Sequence, residues 1–137
     1  MKKLHLIIML AAVVLLAGCT KQETPTTQQN SVVGTKWTTS YADDIMVLEF
    51  ASATEVIAYF TYSNGALIGD VFNGTYQQNG NAITFNNFRI RWLFSSSCYY
   101  ELRSGTIVGS ILQTKGRETF DITNGNWSSW SENWNKQ

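Results

Sequence analysis

The sequence predicts an all-β fold, an antiparallel up-and-down meander of eight to ten strands closed into a small barrel. Three observations predict it. Apolar and polar residues alternate with period two through much of the central chain. Asn-Gly and other glycine-containing pairs punctuate that alternation at short intervals. No stretch of the body offers a long amphipathic helix, and so many strands must hide their edges, which closure does most completely. A two-sheet sandwich is the alternative way of hiding them.

The elements follow in chain order. Met46, Leu48 and Phe50 alternate, with Ile45 and Val47 making the opposite face apolar too. The stretch 55–62 is also two-faced, with Val56, Ala58 and Phe60 against Ile57, Tyr59 and Thr61. The clearest strand is 88–94, where Phe88, Ile90, Trp92 and Phe94 share one face and Arg89 and Arg91 the other. Cys98, Tyr100 and Leu102 then alternate with Tyr99, Glu101 and Arg103, and Phe120 and Ile122 with Thr119 and Asp121. Asn64-Gly65 and Asn79-Gly80 read as type I′ hairpin turns. Asn73-Gly74 lies in a strand-like stretch, so its glycine reads as a bulge or a close approach. Ser104-Gly105 and Lys115-Gly116 read as two further reversals. The barrel domain is thus expected over residues 32–123, with 124–137 outside it.

Four short segments of this body resemble the small lipocalin-like lipoproteins of Gram-negative bacteria. Gly34-Thr35-Lys36-Trp37 is similar to the Gly-x-Trp opening of lipocalins. Gly74-Thr75-Tyr76, Asn79-Gly80-Asn81 and Ile83-Thr84-Phe85 together are similar to that group's repeated hairpin. The resemblance implies a lipocalin-like barrel that binds a small apolar or amphipathic ligand.

The N-terminus reads as an address. Lys2 and Lys3 precede an apolar run over residues 6–17. A bilayer-spanning helix needs about 20 apolar residues, so this run has the length of a signal-peptide core instead. It ends in Leu16-Ala17-Gly18-Cys19, which resembles the lipobox of bacterial lipoproteins. That resemblance implies removal of residues 1–18 and acylation of Cys19, by palmitate or a similar fatty acid. Two or three acyl chains exceed the single-chain limit at which membrane binding is marginal. Thr20 stands where an Asp would imply inner-membrane retention, so the expected location is the outer membrane of the cell envelope. Residues 19–31 have no large apolar side chain beyond the acylated position and contain Pro25, the only proline. They are expected to form a flexible tether reaching on the order of 20 Å.

Composition then removes most chemistry. The chain of 137 residues is 15% charged with a formal net charge of zero, which argues against a nucleic-acid binder. Cleavage before Cys19 would take away His5, the only histidine. Neither a Ser-His-Asp or Cys-His arrangement nor an imidazole metal site is then available. Cys98 has no neighbouring cation to activate it and reads as a buried, inert thiol. Asp43-Asp44 reads as a turn, lacking the alternating oxygen ligands and glycine of a calcium loop. Glu49, Glu55, Asp70, Glu101, Glu118 and Asp121 read as solvated strand faces. No enzyme, cofactor or metal is expected.

The eighteen aromatic residues are the informative excess. Trp37, Phe88, Ile90, Trp92, Phe94 and Tyr100 are the expected barrel interior and the candidate ligand-binding residues, with Trp37 closing the floor. So many bulky side chains favour a small or filled interior. Trp127, Trp130 and Trp134 fall within an arc of about 60° on a helix. They are therefore expected on a short C-terminal helix or tail that packs on the barrel or docks an envelope protein partner.

Overall fold

Alternation becomes strand wherever one set of side chains can be buried against a common core. The computed structural model describes residues 31–41 and 43–137. The expected leader, the lipidation site Cys19 and the tether up to residue 30 lie outside the described residues. The strands are β1 (Lys36–Tyr41), β2 (Asp44–Phe50), β3 (Glu55–Thr61) and β4 (Leu67–Asn79). They continue as β5 (Ala82–Arg91), β6 (Tyr99–Val108), β7 (Ile111–Thr119) and β8 (Ser128–Lys136). Each pairs antiparallel with the next, and β8 pairs with β1, so the sheet is a closed eight-stranded barrel in simple up-and-down order.

The inward face is apolar and packed. Leu48, Phe50, Val56, Ala58, Phe60, Ile90, Leu102, Leu112 and Trp134 are fully buried, and Trp37, Tyr76, Ile83 and Phe88 are nearly so. Burial of each large side chain is worth about 1.5–3 kcal/mol. An irregularity in β5 lets the chain keep that face. Asn87 has φ 49°, and the β5–β6 register skips between Thr84 and Phe88. β5 advances four positions there against two on β6, and Asn86 and Asn87 both face outward, so that Ile83 and Phe85 before them and Phe88 and Ile90 after them are all buried. Asparagine is among the few side chains that tolerate this left-handed conformation.

The two ends differ. At the base lie residue 31, the 51–54 turn, the two-residue turns 80–81 and 109–110, and Gln137. The longer loops 62–66, 92–98 and 120–127 surround the mouth. The turn after β4 is centred on Gly80-Asn81, with positive φ at Gly80 alone. That is the type II′ pattern, not the expected type I′ turn centred on Asn79-Gly80.

Two expectations are corrected. Residues 124–137 are not an appendage: β8 pairs with β7 over eight successive positions, from Ile111↔Asn135 to Glu118↔Ser128. The barrel therefore extends to Lys136 instead of ending at residue 123, and the expected helix is a strand. Ser104-Gly105 and Lys115-Gly116 do not reverse the chain either, for both glycines lie mid-strand. A Cβ at Gly116 would overlap the Glu101 carbonyl oxygen, and one at Gly74 would overlap the Phe88 ring. At both places the neighbour's approach, not a turn, requires glycine.

The seam between first and last strands is short. Trp37↔Lys136 and Thr38↔Asn135 are its paired positions, extended at the base by Gln137 N–H donating to the Lys36 carbonyl at 2.9 Å. Toward the mouth, side chains continue the connection, as Thr39 Oγ1 donates to Glu132 Oε1 at 3.1 Å.

Candidate functional site at the barrel mouth

At the mouth, separate segments bring aromatic rings together. Tyr41 ends β1, Trp92 and Phe94 stand in the loop after β5, Tyr100 faces inward from β6, and Phe120 follows β7. Trp92 is the hub. Its ring centroid lies 4.1 Å from Tyr41, 5.7 Å from Tyr100, 6.1 Å from Phe60 and 6.4 Å from Phe94. All four pairs are close to perpendicular, the edge-to-face geometry that ring quadrupoles favour. Tyr100 is also 4.9 Å from Trp130 at a tilt of 37°. Burial foremost, and then the adjacent Tyr41 hydroxyl, raises the Tyr100 pKa far above the ordinary phenol range, so it stays protonated.

Tyr41, Trp92, Phe94, Tyr100 and Phe120, with Cys98, Glu118 and Thr119, line a cleft of about 240 Å³. Below it the barrel is filled by the apolar core, and every buried side-chain nitrogen or oxygen among the described residues has a hydrogen-bond partner. The cleft is therefore a shallow cup over a packed interior, smaller than the ~300 Å³ lower bound of common ligand pockets. A second depression, about 300 Å³, lies over β3 and β4 beside Glu55, Ile57, Asn73 and Thr75, and has no aromatic lining.

The chain matches no family model, no curated protein and no solved structure.

The residues singled out from sequence fall in several places. Trp37, Phe88, Ile90 and Tyr100 are buried in the interior. Trp37 sits toward the base, its Nε1–H donating to Thr35 Oγ1 at 2.8 Å. Trp92 is half-buried under the cleft. Phe94 is a correction: it is 79% exposed. β5 ends at Arg91, and a turn with Ser95 N–H donating to the Trp92 carbonyl stops the alternation that would have carried Phe94 inward. Cys98 is also displaced from its expected core position. It is half-buried in the loop before β6, with Sγ donating to the Phe120 carbonyl at 3.1 Å.

The Trp stripe is corrected as well. On a strand, residues 130 and 134 share a face and residue 127 does not. Trp134 is fully buried, its Nε1–H donating to Thr114 Oγ1 at 2.8 Å. Trp130 packs on Tyr100. Trp127 lies outside, 4.2 Å from the Arg117 guanidinium. No continuous Trp surface remains for docking.

One cluster was missed by reading the sequence. Glu101, expected as a solvated strand residue, is 1% exposed. Strand register sets it between Arg89 on β5 and Arg117 on β7, with Arg103 two residues along its own strand. Burial alone would raise its pKa, yet hydrogen bonds from Arg117, Arg89 and Arg103 hold it down at about 2. The only sequence signal was an Arg-rich outer face around a single carboxylate; the pairing that joins them is a property of register.

Proposed function

We propose that this protein is a lipid-anchored component of the bacterial cell envelope whose lipocalin-like barrel works by non-covalent binding, without catalysis. Its ligand is a small apolar or amphipathic molecule, or the apolar tip of a larger one, seated in the mouth cleft. The observation that carries this reading is the aromatic cup of about 240 Å³ around Trp92, at the opposite end of the barrel from residue 31. Acylation at Cys19 would put the membrane on the residue-31 side and leave the mouth facing away from it. The outer membrane is the membrane proposed, from the lipobox and Thr20.

An uncharged apolar dye, N-phenyl-1-naphthylamine, tests the cleft. Saturable dye fluorescence that is lost in Trp92→Ala and Phe120→Ser supports the reading, and its absence in the native protein overturns it. Labelled palmitate tests the anchor: incorporation in growing cells should disappear in Cys19→Ser.

A second reading has the outer face dock an envelope protein. The exposure of Phe94 at 79% and Phe120 at 73% favours it, because large apolar side chains grouped at a rim are a common mark of protein contact. A photo-cross-linker at position 94 that captured one discrete protein, with no dye binding in the cleft, would favour this reading over the first.

A further inference from the structure

The outer wall over β5, β6 and β7 holds charge that the fold itself does not consume. Glu101 Oε1 accepts from Arg103 Nε at 3.0 Å and Arg117 Nε at 2.9 Å, while Oε2 accepts from Arg89 Nε at 2.9 Å and Arg117 Nη2 at 3.1 Å. Four charge-assisted bonds occupy the acceptor sites of one carboxylate. Three guanidinium groups around one carboxylate leave two positive charges unbalanced. The surplus is concentrated: the chain has four arginines and three of them are here, whereas residues 31–137 carry nine acidic against seven basic side chains. The fourth, Arg91, is paired with Asp70.

The three arginines are not equivalent. Arg117 is spent, bound side-on to the carboxylate and covered by the Trp127 ring. Arg89 and Arg103 each commit only Nε to hydrogen bonding, and their side chains are 46% and 56% exposed, with the Arg89 guanidinium also 5.6 Å from the Trp127 ring. Their terminal Nη groups make no hydrogen bond to any described residue. A single arginine would suffice to neutralise Glu101, and adding two more around it raises mutual repulsion unless something negative arrives. Anchoring through Nε fixes both forks in place before a ligand binds, which lowers the entropy cost of binding one.

We propose that Arg89 and Arg103 form a binding site for a phosphate monoester on the outer wall of the barrel, with Glu101, Arg117 and Trp127 as its fixed support. The charge argues for phosphate over carboxylate. A phosphate monoester carries about −1.5 to −2 at neutral pH and offers three acceptor oxygens, matching the surplus of two and the two free forks. The site is separate from the mouth cleft, since strand alternation puts Arg89 and Arg103 outside and Ile90 and Leu102 inside. The phosphate belongs either to a soluble molecule or to a lipid headgroup.

The test uses the full-length chain in neutral detergent, reading the side-chain nitrogen resonances of the arginines and Trp127 by NMR during titration with inorganic phosphate. Saturable shifts at Arg89 and Arg103 that chloride at equal ionic strength does not reproduce are expected. Affinity should fall about tenfold in Arg89→Gln and in Arg103→Gln. Arg103→Lys, which keeps the charge and leaves Glu101 bound to two arginines, guards against a folding defect and should also bind more weakly. Co-sedimentation with phosphatidylcholine vesicles, with and without phosphatidic acid, separates the sources. Stronger retention by phosphatidic acid, lost in Arg89→Gln, assigns the site to a lipid headgroup, and equal retention with phosphate binding intact assigns it to a soluble phosphate. Shifts that chloride reproduces, or phosphate affinity unchanged in all three variants, would overturn the proposal.

Discussion

Arg117 grips Glu101 side-on across β6 and β7, its Nε and Nη2 donating to the two carboxylate oxygens at 2.9 and 3.1 Å. With Arg89 on β5 joined to the same carboxylate, one buried negative charge ties three consecutive strands. The contact is made on the outside of the barrel, so it adds to the apolar core instead of interrupting it.

That arrangement makes the barrel acid-sensitive in a defined window. The carboxyl pKa is lowered from 4.5 to about 2 on folding. The stabilisation is therefore complete above about pH 4.5 and is lost as pH falls toward 2, in total on the order of 3 kcal/mol. Urea unfolding between pH 7 and 2 should show that decline. Glu101→Gln should flatten this part of the profile and be less stable at pH 7 by about 3 kcal/mol, because three guanidinium groups lose their counter-charge.

β8 should be indispensable. Deleting residues 126–137 removes Trp134 and the strand that joins β7 to β1, so the truncated chain should show no cooperative thermal transition. Trp134→Phe is the milder probe. It keeps most of the buried volume but removes the donor to Thr114 Oγ1, and should cost about 1–2 kcal/mol in chemical denaturation.

Glycines in strand and turn should respond differently. Gly116→Ala drives a methyl group into the Glu101 carbonyl and should destabilise by about 3 kcal/mol through forced strand separation. Gly109→Ala meets no atom within 4 Å but keeps φ at 61°, so only backbone strain of about 1 kcal/mol is expected. Paired unfolding curves measure the difference.

Within the mouth, stability and binding should separate. Trp92→Ala removes the ring that touches Tyr41, Phe60, Phe94 and Tyr100 and should cost about 2–3 kcal/mol as well as abolishing dye binding. Phe94→Ala removes a ring that is 79% exposed and should leave stability within about 0.5 kcal/mol while weakening the dye.

The barrel was legible because period-two alternation survives wherever a strand is regular. It was obscured where local irregularity intervenes. The parity change at Asn87 joins two inward series, Ile83 with Phe85 and Phe88 with Ile90, that do not continue one another in sequence. Trp127, Trp130 and Trp134 are spaced three and four apart, which imitates a helix, and the extended reading depends on β7 offering a free edge beside them. Gly116 looked like a turn because its cause, the Glu101 carbonyl, lies on another strand. The site residues divide in the same way. Trp92 and Tyr100 could be placed near the interior from pattern alone. The exposure of Phe94 and the burial of Glu101 follow from a loop path and a strand register that no local window contains.

The two-rung seam bears on how this molecule is made. Thr39 reaches Glu132, 93 residues downstream, so β1 must wait for nearly the entire chain before its free edge is covered. Seven strands can zip up in order as they emerge, each onto its predecessor, but the ring shuts only with the last. Until then an unsatisfied ribbon is on offer to any neighbouring polypeptide, so the last strand decides how long that exposure lasts.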